Sequence, residues 1–196
     1  MDPERPQIFV LSGPNGAGKT TAASVVLPER LGIDQFVNAD LIARGLSPFA
    51  PERMAFRAGR LMLERIHDLR ARGESFGFET TLATRSYAPF LSDARASGYV
   101  VELAYIWLSS VDLAISRVRG RVAQGGHDVP TAIIERRYDR GLRNLFDLYV
   151  PLCDTWTIAD NSGDELVEVA RGRQGAEPTV LEAERWSRIR RRVDDS

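Results

Sequence analysis

Gly13-Pro14-Asn15-Gly16-Ala17-Gly18-Lys19-Thr20 puts three glycines, one ammonium and one hydroxyl into a single short stretch. It matches the P-loop pattern G-x-x-x-x-G-K-[ST] at every fixed position. Glycines let successive backbone N–H groups curl around a phosphate, and the helix that follows adds its positive end. The Lys19 ammonium can reach the β- and γ-phosphates, and the Thr20 hydroxyl can hold Mg²⁺. The expected nucleotide contacts are Gly13, Asn15, Gly16, Ala17, Gly18, Lys19, Thr20 and Thr21, with ATP and Mg²⁺ as the cofactors. Of the 26 basic residues Lys19 is the single lysine and the other 25 are arginine. A chain that uses arginine everywhere else retains lysine where a compact point charge is needed and a planar fork does not serve. The phosphate site is expected to face solvent, so that Lys19→Met removes the ammonium and spares the fold.

A phosphate cradle alone does not separate kinases from GTPases, motors or transporters. The apolar run Tyr99 to Leu108 ends in Ser109-Ser110 rather than Asp, which weakens the motor and transporter readings, and no Asn-Lys-x-Asp stretch reads guanine. Asp40, just past a second apolar run, can take the proton of an attacking hydroxyl; it also suits the N-cap of a short helix over 41–44. A cationic lid is expected over residues 117–140. Arg117 and Arg121 lie four apart on one predicted helix, and Arg136, Arg137 and Arg140 lie on the next, joined by the hinge Gly125-Gly126-His127-Asp128-Val129-Pro130. Arginine forks suit the charge spread over a transferring phosphoryl group, although in so arginine-rich a chain any one of them can equally be an ordinary solvated side chain. Arg121 and Arg137 flank the hinge and are the leading pair. His127 is expected to organise the loop by hydrogen bonding, and Arg190-Arg191-Arg192 to be solvated.

These groups need strand ends to carry them. Short apolar runs at Gln7–Leu11, Gln35–Val37, Ser75–Phe78, Tyr99–Leu108 and Thr155–Ala159 read as strands, alternating with helical patterns over 21–26, 54–69, 86–97, 110–124 and 130–149. Alternation of this kind implies an α/β fold with a parallel sheet and right-handed crossovers. Ligands then bind beyond the carboxyl ends of the strands, where the P-loop, Asp40, Glu79-Thr80 and Asp160 converge. Leu166 to Ala170 reads as an edge strand, antiparallel to its neighbour. The tail from Thr179 to about 193 reads as an amphipathic helix with Trp186 and Ile189 on its apolar side.

Length and composition set the bounds. The 196 residues fit one domain with a full core. A net charge of −1 argues against a general nucleic-acid or membrane binder. Cys153 is alone, so no internal disulfide forms and a cytoplasmic location is the natural expectation. The N-terminus lacks the basic-then-apolar order of a signal peptide, and no apolar run reaches transmembrane length.

Gly13 to Thr20, Asn38-Ala39-Asp40 with Arg44, Phe78-Glu79-Thr80-Thr81, and Gly125 to Pro130 followed by Arg136-Arg137-Tyr138 together resemble the zeta toxin family and its compact relatives, over residues 7–162. The resemblance implies a three-layer P-loop kinase fold with five parallel strands in the order 2-3-1-4-5 and a helical lid. It implies transfer of phosphate from ATP to a hydroxyl of UDP-N-acetylglucosamine. Lys19 and Thr20 would then handle ATP and Mg²⁺, Asp40 would be the base, Glu79 and Thr80 would face the acceptor, and Arg121 and Arg137 would hold the transferring phosphate. Arg44 and Arg85 are the candidates for a diphosphate on the acceptor. The chain is shorter than a typical toxin, and an antitoxin partner does not follow from its residues. Two other functions stay open: a kinase of nucleic-acid 5′-hydroxyl ends, which would want a basic track, and an ATP-sensing module that transfers nothing.

Overall fold

The computed structural model describes residues 5–26, 32–126 and 128–194. Strand β1 (Gln7–Ser12) runs through its centre. It pairs in parallel with β3 (Phe76–Thr80) on one side and β4 (Val100–Trp107) on the other. β2 (Phe36–Val37) adds to β3 and β5 (Thr155–Asp160) adds to β4, both parallel. The first five strands therefore stand in the expected order 2-3-1-4-5. The sheet continues past them through two antiparallel strands, β6 (Val167–Arg173) and β7 (Thr179–Val180), to seven in all. β6 is the anticipated antiparallel strand, longer than its apolar core suggested, but it is not the edge: β7, two exposed residues where the tail helix was expected to begin, pairs beyond it.

Strict alternation along β1 buries both sides of the sheet. Ile8 and Val10 face a core built with α3 (Ala55–Ala71), α4 (Tyr87–Ala96) and α7 (Ala183–Asp194). Phe9 and Leu11 face a second core built with α1 (Lys19–Val26) and α5 (Val111–Ala123). In α3 the buried residues are Ala58, Met62, Ile66 and Leu69, the apolar stripe the spacing predicts. Helix α6 (Thr131–Asn144) contributes to both cores: Ile134 and Tyr138 belong to one, Leu142 to the other. It crosses the carboxyl edge of the sheet and continues into a single π-helical turn over Leu145–Tyr149. Cys153 is fully buried and burial pushes its thiol up to about 12, the behaviour of a packing residue.

The arginines of α7 are not simply solvated. Arg190 lies over the Phe146 ring at 4.5 Å, Arg192 donates to Asp139 Oδ1 on α6 at 2.8 Å, and Arg185 donates to Asp160 Oδ2 at 3.2 Å. Ile189 is fully buried, and the partly buried Trp186 and Val193 pack against the same core; the guanidinium groups add stacking and pairing to that apolar contact. Among the described residues no helix is long and apolar enough to cross a membrane.

Candidate functional site

The glycine loop is pressed against β4. At Gly13, with φ +141°, an added Cβ would lie 2.2 Å from the carbonyl oxygen of Ile106, so no other residue fits without moving the sheet. Just past β5, the Asn161 amide donates to the Ala17 carbonyl at 2.9 Å and also ties the loop down. Lys19 is buried at 6% exposure, which corrects the expectation that it faces solvent. Its ammonium donates to the Pro14 carbonyl at 2.9 Å and lies 3.6 Å from Glu79 Oε1. Burial pushes its pKa down, the carboxylates of Glu79 and Asp40 oppose that shift, and the charge of Arg121 adds to it.

The other Glu79 oxygen accepts from the Thr20 hydroxyl at 2.9 Å and from the Asn38 amide at 2.7 Å. Asn38 does two jobs. Its Oδ1 accepts the N–H groups of Asp40 at 2.8 Å and Leu41 at 3.1 Å, capping α2 (Ala39–Leu46). The cap is therefore Asn38 and not Asp40, whose carboxylate stands exposed in the first turn. A hydroxyl and a carboxylate in contact form a hard-oxygen pair of the kind Mg²⁺ selects. Thr20 and Glu79 supply it, and among the described residues no cluster of three or more His, Cys, Asp or Glu competes with it.

Asn15, Lys19, Asp40, Glu79, Thr80, Arg136, Arg137 and Arg140 line one cavity of about 320 Å³. Burial pushes the pKa of Arg137 down and the charge of Asp40 opposes that, so the two interact across this space. Arg121 acts electrostatically on Lys19 without lining the cavity. Arg44 is exposed and lies outside it, and Arg85 lines a separate, adjoining cavity. His127 falls outside the described residues. Asp160, at the end of β5, is buried and occupied by the Ser162 N–H at 2.9 Å and by Arg185, so it holds the strand end together.

The loop after β3 forms one wall of the cavity. The Thr80 hydroxyl oxygen accepts the Leu82 N–H at 3.1 Å, and Leu82 is fully buried with φ +56°. Three groups beyond the α6 arginines hold it there. The Asn144 amide donates to the Leu82 carbonyl at 2.7 Å, the Tyr149 hydroxyl donates to the Thr84 carbonyl at 2.5 Å, and Gly141 lets the helix approach so closely that a Cβ would lie 2.3 Å from the Thr81 oxygen. Gly141 and Asn144 were not anticipated from the sequence, and Asn38, named there within Asn38-Ala39-Asp40, was given no role of its own. The Asn38 amide before a short helical pattern was the one legible cue, as an N-cap.

A protein-family model described as an AAA domain matches residues 8–144, well over half of the chain. An uncharacterized protein of Haemophilus influenzae is 29% identical over 126 residues, spanning 64% of this chain and 88% of that one. Among solved structures, the AvrRxo1-ORF1:-ORF2 complex with ATP superposes with a TM-score of 0.74 at 20% identity, covering 96% of this chain and 64% of the other. This chain thus spans less than two thirds of that one. The PezAT chromosomal toxin–antitoxin system of Streptococcus pneumoniae superposes with a TM-score of 0.63 at 17% identity, covering all of this chain and 88% of the other. At such identities the likeness is one of fold: a P-loop domain with a mostly parallel central sheet.

Proposed function

The chain belongs to the AAA domain family, and we propose that it is an ATP-dependent small-molecule kinase whose acceptor is a hydroxyl of a sugar nucleotide such as UDP-N-acetylglucosamine. The observation that carries this is the convergence of the P-loop lysine, an exposed carboxylate and three arginines on one cavity. The acceptor class rests on the resemblance to zeta toxins.

The P-loop N–H groups and Lys19 bind the β- and γ-phosphates and fix the γ-phosphorus at the cavity floor. Thr20 and Glu79 would hold Mg²⁺, which would supply positive charge to offset the negative charge that develops during transfer. Asn38 orients Glu79 and, by capping α2, also sets the direction of Asp40. Asp40 accepts the proton of the acceptor hydroxyl as its oxygen attacks. The new O–P bond forms, the bond from the γ-phosphorus to the bridging oxygen breaks, and ADP leaves with that electron pair. Arg137, with Arg121 on the P-loop side, stabilises the charge spread over the equatorial oxygens.

The test is to incubate the protein with Mg-ATP and UDP-N-acetylglucosamine and to follow ADP and the mass of the sugar nucleotide. A product heavier by one phosphoryl group is expected, with Asp40→Asn retaining ATP binding and losing about 10²- to 10⁴-fold in rate. A collapse of ATP affinity in Asp40→Asn would move that residue to the metal. A phosphorylated product from some other metabolite, with none from the sugar nucleotide, would discard the acceptor and keep the kinase.

A further inference from the structure

A second cavity, also of about 320 Å³, adjoins the first and shares Ala83 and Arg140 with it. Arg85, Arg140 and Arg143 line it against a single carboxylate, Asp147. Its wall is fixed, since the Asn144 amide is committed to Leu82. Neither Arg85 nor Arg140 is in an ion pair with any described residue. On α6, Arg136, Arg140 and Arg143 stand at i, i+4 and i+7, one stripe along the helix. From the first to the last the helix advances about 10 Å. The stripe starts in the main cavity and ends in the second.

We propose that the second cavity is an anion subsite for the acceptor, taking a phosphate or diphosphate group that the acceptor carries apart from the hydroxyl being phosphorylated. This rests on the kinase function for the word acceptor, but not for the binding. Three guanidinium groups around one cavity repel one another, and one carboxylate does not neutralise them. An anion with several oxygens relieves that repulsion and takes paired N–H donors from the forks. An uncharged sugar in the main cavity would leave this charge unanswered. The arrangement also replaces the sequence-based pairing of Arg44 with Arg85: Arg44 lies elsewhere, and the partners of Arg85 are Arg140 and Arg143.

The experiment uses the full chain saturated with a non-hydrolysable ATP analogue, so that the P-loop is occupied, and titrates inorganic pyrophosphate by calorimetry. Wild type is expected to bind. The exposed pair Arg85→Gln/Arg143→Gln, which does not touch the P-loop, should weaken pyrophosphate by about tenfold or more and leave the affinity for the ATP analogue unchanged. Arg57→Gln, an exposed arginine on α3, should behave as wild type. Unchanged pyrophosphate affinity in the double variant, or no binding to the nucleotide-filled wild type, overturns the subsite. Because no turnover is measured, pyrophosphate binding by a protein that phosphorylates no sugar nucleotide keeps the subsite and discards only the acceptor.

Discussion

Replacing Lys19 by Met is expected to abolish turnover and to make the protein more stable. The sign follows from the direction of its pKa. Burial lowers that pKa below the free-lysine value of 10.5, so the folded state disfavours the ammonium relative to the unfolded chain. The cost is fully present at pH below the folded pKa and fades as the pH climbs towards 10.5. The partners left behind are not orphaned. The Pro14 carbonyl still accepts the Ala17 N–H at 3.3 Å, and Glu79 still takes Thr20 and Asn38. The losses are one hydrogen bond of about 1 kcal/mol and the attraction between the ammonium and Glu79 at 3.6 Å, against relief from desolvating an ion, which costs several kcal/mol before its partners compensate; the lowered pKa means that the relief is the larger. Methionine fills most of the same volume. A net gain of about 0.5–2 kcal/mol is expected, as is common when a functional charge is removed. In a chain of this length that raises Tm by about 2–4 °C per kcal/mol. Urea unfolding at pH 7 and again near pH 10 measures it, and the advantage should shrink at the higher pH. A destabilisation of more than about 1 kcal/mol at pH 7, which would indicate a broken ion pair with Glu79, refutes the electrostatic reasoning. Near wild-type ATP turnover in the folded variant refutes the P-loop assignment itself.

Asn38 should separate its two jobs. Asn38→Ser keeps an oxygen to cap α2 but loses the donor to Glu79, whereas Asn38→Ala loses both, so Ala should be less stable than Ser by about 1 kcal/mol while both weaken Mg-dependent ATP binding. Equal stabilities by urea unfolding would remove the cap from the account. Arg137→Ala should lower kcat far more than ATP affinity, by up to about 10³–10⁵ if it meets the transition state alone; Arg121→Ala should act in the same direction and also raise the pKa of Lys19, because the Arg121 charge is one of the influences lowering it. Unchanged rates in both variants would transfer the role to Arg136 or Arg140.

What was legible in the sequence was whatever depends on local pattern. The P-loop declares itself through glycine spacing, and the five parallel strands through alternation of apolar runs with helical stripes. Asp40 was legible as a carboxylate past a strand, but its position as cap or base was not. That depends on whether the residue two before it turns its amide inwards, and Asn38 does so because Glu79, forty-one residues later, offers an acceptor. The docking of α7 was hidden for the same reason. Arginines on an amphipathic helix look solvated until the fold brings Asp139, Asp160 and an aromatic ring within reach. Gly141 looked like a flaw in a good helix. Its purpose lies in the Thr81 carbonyl, sixty residues earlier in the chain.

Leu82 has a consequence for how this protein can change over generations. Its backbone sits in the left-handed region, where a branched side chain costs about 1–3 kcal/mol, yet its side chain is wholly enclosed. Glycine would relieve the backbone and leave a hole costing about 2–5 kcal/mol. Asparagine would tolerate the angle and strand an amide among apolar neighbours. No single substitution answers both demands, so the position is trapped: drift can leave it only together with Asn144, Tyr149 or Gly141, the groups that impose the conformation. The shape of that cavity wall is in this sense inherited as a block, and changes in what the cavity accepts must come from the side chains displayed around the loop.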